Sequence, residues 1–494
     1  MRSVPGFGEW KAVNDEHLAL HTDKYQLNMM YAHWVQGTLN RKAVFEAFFR
    51  KLPFGNGYAV FAGLERVVRY IRGLSFTDDE IEFLKHQEEH YDEGFLRELR
   101  SFKFTGDLYA VPEGTAVFPG EPLIRVEARI FEAQLIETAL LNFINYQTLV
   151  ATKASRIKRA APGDILLEFG TRRAQEADAA VWGARAAYIA GFDGTSNVRA
   201  GMMFGIPTRG THAHSWIQAH ESEEEAFDKF AGALPDHVSL LVDTYDTLRS
   251  GVPAAIRTAK RLASAGKRVQ SIRIDSGDLA YTSIRAREML DEAGLHEVKI
   301  MASNDLDEHV IAELKAQHAK IDMWGVGTQL ITAADQPSLG GVYKLAAIEK
   351  NGRLEPVIKI SGNPEKVTSP GAKDVYRIVN AGTGKAEADY LALKEEGGVD
   401  PSRPLRLFDP LHPYRSKTVE DYDAIPLLQP VFLQGELVYA LPGLDDIRKY
   451  HAGQLELFWP EYLRKLNPEQ YRVNVSPAAW DLKLVMIRSV QEKL

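Results

Sequence analysis

Residues 239–274 read SLLVDTYDTLRSGVPAAIRTAKRLASAGKRVQSIRI and decide the fold. An apolar run (239–243) is followed by a periodic run of helical length (252–266) and by a second apolar run (269–274). Short apolar runs predict buried strands, and the longer periodic run predicts a helix between them. A strand–helix–strand unit of this kind predicts parallel strands joined by a right-handed crossover.

The same alternation extends in both directions from this stretch. Further apolar runs occupy 165–169, 298–303 and 321–326, and further helical patterns occupy 281–294 and 307–320. No glycine-rich dinucleotide fingerprint opens these units, and polar residues follow strand after strand, which favours a (β/α) barrel over an open sheet. We predict a barrel catalytic domain at 131–354.

The two ends of the chain have a different pattern. A helix (His21–Gln36), a strand (Ala43–Phe49) and short strands within 111–128 precede the barrel. Residues 350–440 are again rich in turns, and 444–466 predict an amphipathic helix. We predict that residues 1–130, completed by 355–494, form a second α/β domain beside the barrel.

The composition limits the function classes. The 494 residues include no cysteine and carry a net charge of −8. The absence of cysteine excludes disulfides, thiolate metal sites and a cysteine nucleophile. The negative net charge argues against a nucleic-acid-binding surface. The N-terminus lacks the basic start and apolar run of an export signal, and no apolar stretch reaches the roughly 18 residues of a membrane span. We therefore expect a cytoplasmic protein without a nucleic-acid or membrane partner.

The turn RIDSGD (273–278) combines a cation with two carboxylates. Arg273 suits a carboxylate or phosphate, and Asp275 with Asp278 suits a sugar diol or a Mg²⁺-bound phosphate. The alternative is an Asx turn that caps the next helix.

The segments SNDLD (303–307) and GVGT (325–328) follow the next two strands. Turns of this kind ahead of a helix expose backbone N–H groups, and the late strands of a barrel commonly bind phosphate there. A tight strand exit is the alternative for the glycine pair.

The segment EFGTRR (168–173) contributes an aromatic ring and two adjacent arginines. Phe169 could stack on a planar ligand, and we expect either Arg172 or Arg173 to enter the site while the other pairs structurally. A core phenylalanine with two surface arginines is the alternative.

The segment GTHAHS (210–215) contains two histidines at positions i and i+2. This spacing differs from the i, i+4 spacing of a helical zinc site. His214 beside Ser215 is a candidate nucleophile or general acid/base, and a hydrogen-bonded structural histidine is the alternative.

Taken together, and in their order along the chain, these motifs resemble those of the nicotinate phosphoribosyltransferase family. The resemblance covers roughly the first three-quarters of the chain, and the last quarter is less diagnostic. It rests on TDKYQL (22–27), FEAFFRKLPFGNGYAVFAGL (45–64), EFGTRRAQ (168–175), GFDGTSNV (191–198), GTHAHS (210–215), RIDSGDL (273–279), SNDLDE (303–308), GVGT (325–328), GGVYKL (340–345) and KISGNPEKVTSPGAKDVYR (359–377).

The resemblance implies a reaction in NAD biosynthesis. Nicotinate and phosphoribosyl diphosphate would give nicotinate mononucleotide and diphosphate, with Mg²⁺ and with ATP hydrolysis coupled through a phosphohistidine. It also implies a type II phosphoribosyltransferase fold, with an irregular α/β barrel and an N-terminal domain. The enzyme would be a head-to-tail homodimer with shared sites.

The resemblance further implies roles for individual residues. Nicotinate would stack between Phe169 and Tyr25 of the partner subunit, with its carboxylate near Arg172 and Arg273. Asp275 would hold the ribose hydroxyls, and the other substrate-binding positions would be Ser196, Thr211 and Ser215. The 5′-phosphate site would be lined by Asn304, Asp305, Gly327 and Thr328.

His214 matches the phosphorylated histidine of the family, with Asp243 orienting or charging it. The chain departs from the family at His212, where the residue is usually apolar, so two histidines are candidates and the position before Ser215 favours His214. Ser196 stands where the nicotinamide-using relatives have an aspartate, and a neutral residue favours the acid as substrate.

Three alternatives differ in chemistry from this reading. A nicotinamide phosphoribosyltransferase would use the amide. A barrel aldolase or synthase would need a Schiff-base lysine, which the predicted strands lack. A non-catalytic barrel that binds a partner would have lost several of Arg172, His214, Asp275 and Asp305, all of which are present.

Overall fold

The computed structural model describes residues 17–363, 366–409 and 412–492. Residues 1–16, which bear most of the inference about an export signal, lie outside the described residues. The first part of the chain contains α1 (Lys24–Val35), β1 (Lys42–Phe49), β2 (Ala59–Val60), α2 (Leu64–Gly73), α3 (Asp78–Lys85), α4 (Glu93–Arg100), β3 (Asp107–Ala110), β4 (Ala116–Val117), β5 (Ile124–Arg129), α5 (Ile130–Leu135) and α6 (Glu137–Ala160).

A parallel sheet with its helices follows α6. The elements are β6 (Ile165–Glu168), α7 (Glu176–Ile189), β7 (Gly194–Thr195), α8 (Val198–Phe204), α9 (His214–Gln218), α10 (Glu223–Ala233), β8 (Val238–Leu241), α11 (Val252–Ser264), β9 (Val269–Ile274), α12 (Leu279–Glu292), β10 (Lys299–Ser303), α13 (Glu308–Ala316), β11 (Met323–Val326) and α14 (Thr328–Ile331). The strand order is β7-β6-β11-β10-β9-β8, and every neighbouring pair is parallel. The sheet curls into a half-barrel, which confirms the predicted α/β fold with an irregular barrel beside a second domain.

Residues 207–212 bridge the opening between the edge strands β7 and β8. At one end, Thr195 N–H donates to the Pro207 carbonyl at 3.0 Å and Arg209 N–H donates back to Thr195 at 2.9 Å. At the other end, Leu241 N–H donates to Nε2 of His212 at 3.2 Å. Edge strands leave backbone groups unpaired, so this irregular segment supplies part of the closure that the strands do not make.

The last third of the chain returns to the N-terminal strands. It contains β12 (Gly341–Lys350), β13 (Arg353–Pro356), β14 (Lys373–Asn380), β15 (Ala386–Leu393), β16 (Leu405–Asp409), β17 (His412–Val419), β18 (Tyr422–Pro426), β19 (Gln429–Leu433), β20 (Glu436–Leu437), α15 (Leu444–Glu456), β21 (Val473–Val475) and α16 (Pro477–Gln491). One sheet combines N-terminal and C-terminal strands in the order β13-β12-β1-β5-β3-β19-β20. A second sheet has the order β18-β14-β15-β21.

Two features differ from the sequence-based expectations. The helix predicted at 444–466 ends at Glu456, because Leu457 turns its carbonyl to the N–H of Ala386 and Pro460 follows shortly after. Strand β12 pairs with β1, with Phe45 opposite Leu345, although the predicted barrel range runs to 354. The domain boundaries themselves stay a prediction.

Helix α6 connects the two halves of the fold. Its first half packs into the core of the antiparallel part through Phe143 and Ile144, and its second half packs into the barrel core through Ala154 and Ile157. A helix buried on more than one side in this way fixes both cores relative to each other. Within the described residues, no helix has the length and apolar character required to cross a membrane.

Candidate active site

A cavity of about 410 Å³ opens at the carboxyl ends of the parallel strands. Five of the six strands β6–β11 contribute residues to its wall, either from their last turns or from the loops that follow. The carboxyl edge of a parallel barrel is where active sites form, so the cavity has the position expected for one. Its lining includes Phe169, Thr171, Arg172, Arg173, Ser196, Thr211, His212, Arg273, Asp275, Ser303, Asn304, Asp305, Gly327 and Thr328.

Arg273 organises the centre of the cavity. Its Nη2 donates to Oδ1 of Asp275 at 2.8 Å, its Nη1 donates to the hydroxyl of Thr211 at 3.1 Å, and its Nε donates to the hydroxyl of Ser303 at 2.8 Å. The Ser303 hydroxyl in turn donates to Asp275. The predicted residues Thr211, Arg273 and Asp275 therefore form one network, in which the arginine is already partnered on three sides.

Phe169 provides the aromatic face that the sequence predicted. The guanidinium of Arg273 lies over its ring, 5.6 Å from the centroid. Gly325 allows the ring to approach the backbone, because a Cβ there would lie 2.6 Å from Phe169 Cδ2. A planar anion stacked on Phe169 would thus also be next to a fixed cation.

The loop after β10 has backbone geometry suited to an anion. Asn304 and Asp305 both have left-handed conformations, with φ values of 84° and 44°. Residues other than glycine rarely adopt this backbone conformation. Two successive residues that do so turn their backbone N–H groups toward one side of the chain. Gly327 and Thr328, at the start of α14, line the same cavity. The four predicted phosphate-binding residues therefore lie together.

Arg172 and Arg173 both line the cavity, within a single 3₁₀ turn (Thr171–Arg173). Both side chains are exposed, and the expectation that one of them enters the site while the other pairs structurally stays a prediction. Ser196 also lines the cavity and is exposed. Two exposed cations in the wall of the cavity provide charge for an anionic ligand.

His214 begins α9 at the edge of this cavity. Its Nε2 lies 4.0 Å from Oδ2 of Asp275, and its Nδ1 lies 3.1 Å from the hydroxyl of Thr244. The imidazole is thus close to the DSGD turn (275–278), which is where a reactive histidine was predicted to lie. Ser215 follows on α9 and is exposed, outside the cavity wall.

Asp243 has a different partner from the one that the sequence suggests. Its Oδ2 accepts hydrogen bonds from the backbone N–H of Asp275 at 2.8 Å and from the hydroxyl of Ser276 at 2.7 Å. The hydroxyl of Thr244, one residue later, occupies the position beside His214. Asp243 therefore holds the turn that presents Asp275, instead of contacting the histidine directly.

His212 is a structural residue in this fold. It is 8% exposed, and its Nε2 accepts the N–H of Leu241 in the closing segment. Burial, together with nearby Arg273, lowers the pKa of His212 to about 4. A neutral, buried ring that already accepts a backbone hydrogen bond is poorly placed to take a phosphoryl group, so His214 is the better placed of the two predicted candidates.

Tyr25 lies away from the cavity. It is in the first turn of α1, and its side chain is 51% exposed. Tyr25 is therefore accessible to a second molecule, which is what its predicted role in a partner subunit's site would need.

Known proteins match the chain along almost its whole length. Models of the nicotinate phosphoribosyltransferase N-terminal domain, family and C-terminal domain match residues 20–145, 165–385 and 372–483. The chain is 54% identical over 482 residues to the nicotinate phosphoribosyltransferase of Bacillus subtilis (strain 168), with 97% of each chain covered. The chain belongs to the nicotinate phosphoribosyltransferase family.

The family fold also matches at the level of coordinates. The crystal structure of human nicotinic acid phosphoribosyltransferase aligns with a TM-score of 0.84 at 31% identity, and the match covers 94% of this chain and 99% of the human one. The curated nicotinate phosphoribosyltransferase of Homo sapiens is 34% identical over 513 residues, with 92% of this chain and 94% of the human protein covered.

Two residues within the family motifs have contacts that the sequence analysis missed. Glu168 is fully buried, and its carboxylate accepts the hydroxyl of Thr195 at 2.6 Å and the N–H of Gly170, so it ties the end of β6 to β7. Burial raises the pKa of Glu168. Ser303 joins Arg273 to Asp275. An acid at the end of an apolar strand was the available signal for Glu168; Ser303 had no comparable signal.

Proposed function

We propose that this chain transfers the phosphoribosyl group of phosphoribosyl diphosphate to nicotinate, giving nicotinate mononucleotide and diphosphate in NAD biosynthesis. The observation that carries the proposal is the convergence of an aromatic face, a fixed arginine, a carboxylate and the two loops 303–307 and 325–328 in one cavity. Family membership supports the same assignment. Each part of the substrate pair has a matching group in this wall.

Nicotinate would occupy the region beside Phe169. The pyridine ring stacks on Phe169, and its carboxylate is attracted by the cations of Arg172 and Arg273. Ser196 presents a hydroxyl to this region, with no charge that would repel a carboxylate. This part of the cavity therefore favours the acid over the amide, and a nicotinamide phosphoribosyltransferase is the alternative function.

The sugar phosphate would occupy the opposite side. Asp275 accepts hydrogen bonds from the ribose hydroxyls, while Asn304, Asp305, Gly327 and Thr328 surround the 5′-phosphate with N–H and hydroxyl groups. Arg273 lies between both halves. By binding Asp275 and lying near Phe169, it fixes the distance between the ring and the ribose.

The chemical step needs alignment more than a protein nucleophile. The lone pair of the pyridine nitrogen forms the bond to C1′, and the C1′–oxygen bond breaks with its electron pair leaving on diphosphate. Positive charge develops on the sugar, as in glycoside hydrolysis. The carboxylate of Asp275 stabilises this charge.

Mg²⁺ would act on the departing diphosphate. Among the residues that the structure describes, no three His, Cys, Asp or Glu side chains form a ready-made metal site. Mg²⁺ usually binds through one or two carboxylates together with substrate phosphates. Asp275 and Asp305 are the carboxylates of the cavity wall that would hold it, and the ion would neutralise charge on the leaving group.

ATP would act through His214. Transfer of the terminal phosphoryl group breaks its bond to ADP and forms a phosphorus–nitrogen bond to the imidazole, whose orientation Thr244 fixes. The phosphohistidine adds roughly two negative charges beside the DSGD turn, which reorganises that turn and strengthens binding of phosphoribosyl diphosphate. Hydrolysis then reopens the site.

Two copies of the chain would complete each site. The exposed position of Tyr25 allows it to cover the free face of nicotinate in the partner's cavity, opposite Phe169. The homodimer is thus part of the proposal, and a Tyr25→Ala variant is expected to raise the KM for nicotinate while leaving the KM for phosphoribosyl diphosphate nearly unchanged. Mixed dimers of Tyr25→Ala and Asp275→Asn chains would recover activity in one of their two sites.

The function is tested by incubating the full chain with nicotinate, phosphoribosyl diphosphate and Mg²⁺, with and without ATP. The expected product is nicotinate mononucleotide, formed faster with ATP and much faster than any product from nicotinamide. His214→Ala is expected to abolish the ATP stimulation, whereas the matched variant His220→Ala, two residues beyond the end of α9, is expected to keep it. Preference for nicotinamide, or no product, would contradict the proposal.

A further inference from the structure

A buried cluster of charges lies directly behind the two loops assigned to the phosphate. Lys153 and Arg156 of α6 both reach the carboxylate of Glu308, the first residue of α13: Lys153 Nζ lies 2.8 Å from Oε2, and Arg156 Nε donates to Oε1 at 2.7 Å. Lys153 Nζ also lies 3.0 Å from Oδ1 of Asp335, which follows α14. One lysine thus connects the helix after the first loop to the segment after the second.

The cluster is almost completely removed from solvent. The side chains of Lys153, Arg156 and Glu308 are 1%, 3% and 0% exposed. Burial alone would raise the pKa of Glu308, but the two cations overcome this effect and hold the pKa below its usual value, so the carboxylate stays charged. Buried ion pairs contribute little net stability relative to apolar residues, which suggests that this cluster has a further role.

A turn from the N-terminal part of the chain packs on the same cations. The ring of Phe54 lies 5.3 Å from Lys153 Nζ, and Asn56 Oδ1 accepts from Arg156 Nη1 at 3.1 Å. Phe54 N–H donates to the side chain of Gln336 at 3.1 Å. Phe54 has a φ of 59°, which a bulky residue adopts only where its surroundings hold it. The shape of this turn is therefore explained by contacts behind the site.

Both loops depend on where their ends are held. Between the end of β10 and the start of α13, the left-handed residues Asn304 and Asp305 are followed by the buried Leu306, and Glu308 then binds α6. The direction of the N–H groups in so short a loop follows the position of Glu308. The second loop leads into α14, and the ion pair of Asp335 with Lys153 anchors the segment that follows this short helix.

We propose that Lys153 is a positioning residue, which sets the spacing between loops 303–307 and 325–328 and thereby the affinity for the ribose phosphate. This inference rests on the proposed phosphoribosyl transfer and deepens it, since it names the residue behind the site on which phosphate binding depends. Lys153 does not touch the substrate in this arrangement; it acts through Glu308 and Asp335.

The test compares Lys153→Met with wild type, using ribose 5-phosphate as the probe in a direct binding measurement. A misplacement of the loops of about 1 Å is expected to weaken ribose 5-phosphate binding about tenfold or more, and to raise the KM for phosphoribosyl diphosphate similarly. The KM for nicotinate is expected to change less than about twofold, because Phe169 and Arg273 are held by other contacts. Asp335→Asn, whose side chain is 42% exposed and which leaves Glu308 paired, is expected to cause a smaller loss in the same direction.

A matched control is Lys373→Met. Lys373 Nζ lies 2.8 Å from Oε2 of Glu46. Both side chains are buried, as those of Lys153 and Glu308 are, and neither lines the cavity. This variant is expected to lower thermal stability and to leave ribose 5-phosphate binding unchanged. Unchanged binding in both Lys153→Met and Asp335→Asn would overturn the proposal, and so would failure of wild type to bind ribose 5-phosphate. Binding without phosphoribosyl transfer by wild type would contradict the proposed function alone, since this measurement needs no turnover.

Discussion

Gly325 controls where the Phe169 ring can lie. A Cβ at this position would be 2.6 Å from Cδ2 and 2.8 Å from Cε2 of the ring, closer than carbon atoms can approach, so the ring has to move. We expect Gly325→Ala to reduce kcat/KM for nicotinate about tenfold to a hundredfold, because a displaced stacking face misaligns the pyridine nitrogen. Steady-state kinetics with each substrate varied in turn would measure this.

Gly210→Ala is the matched control for this prediction. Gly210 lines the same cavity, but a Cβ there would meet no atom within 4 Å. This variant should keep kcat/KM for nicotinate within about twofold of wild type. Equal losses in both variants would mean that the position of the Phe169 ring does not limit the reaction.

Ser196 is expected to determine the choice between acid and amide. Ser196→Asp would introduce a negative charge into the wall of the cavity, where the nicotinate carboxylate is expected to bind. Repulsion between like charges should reduce kcat/KM for nicotinate more than about tenfold, while the neutral amide loses less. The ratio of the two values measures the effect, and an unchanged ratio would place the carboxylate elsewhere. Ser196→Asn, similar in size but neutral, is the control.

Local motifs predicted some site residues and concealed others. Phe169, Arg273 and Asp275 could be predicted because each directly follows or ends an apolar strand, and strand ends meet at one edge of a parallel sheet. The partner of His214 could not, because Thr244 lies thirty residues further along and enters only through the pairing of β8 beside the closing segment. A histidine's partner depends on tertiary contacts, which a linear motif does not record.

At the scale of elements, the closing segment 207–212 depends on one acceptor. His212→Leu would keep the volume of the side chain but leave the buried N–H of Leu241 unpaired, at a cost of about 1–3 kcal/mol in the free energy of unfolding. His212→Gln offers an amide oxygen to the same N–H and should lose less. Denaturant unfolding of the three proteins at pH 7.5 would compare them, and equal losses in both variants would show that the hydrogen bond is not what holds the segment.

The same segment shows where element prediction fails. The strands at 239–243, 269–274 and 298–303 carry continuous apolar runs, so their existence was predictable from hydrophobic pattern. The segment 207–212 has no such apolar run. One histidine side chain and a few backbone hydrogen bonds join it to the edge strands, so no regular strand pairing leaves a pattern in its sequence. The pairing of β12 with β1 was equally hidden, since pairing across 300 residues leaves no local signal.

At the scale of the whole molecule, His451 connects three distant parts of the chain. It lies on α15, its Nδ1 donates to the Gly114 carbonyl at 2.9 Å, and its Nε2 lies 3.3 Å from the hydroxyl of Ser155 on α6. The residue is 3% exposed. Burial lowers the pKa of His451 to about 4, whereas the unfolded chain has the ordinary value near 6.5.

This difference predicts the sign of a pH effect. Above pH 6.5 the ring is neutral in both states and contributes no pH dependence. As the pH falls below 6.5, the unfolded chain takes up the proton first, so the free energy of unfolding decreases until the folded protein is protonated near pH 4. Between pH 7 and pH 5 the loss through this ring should be about 2 kcal/mol.

His451→Asn isolates that contribution. Its side-chain N–H can still donate to Gly114, but it has no group that titrates in this range. All other groups, including His212, titrate equally in both proteins, so the wild type should lose about 2 kcal/mol more than the variant between pH 7 and pH 5 in urea unfolding. Parallel losses would mean that the ring is reached by solvent before the molecule unfolds, and that the junction of α15, α6 and the N-terminal part opens on its own.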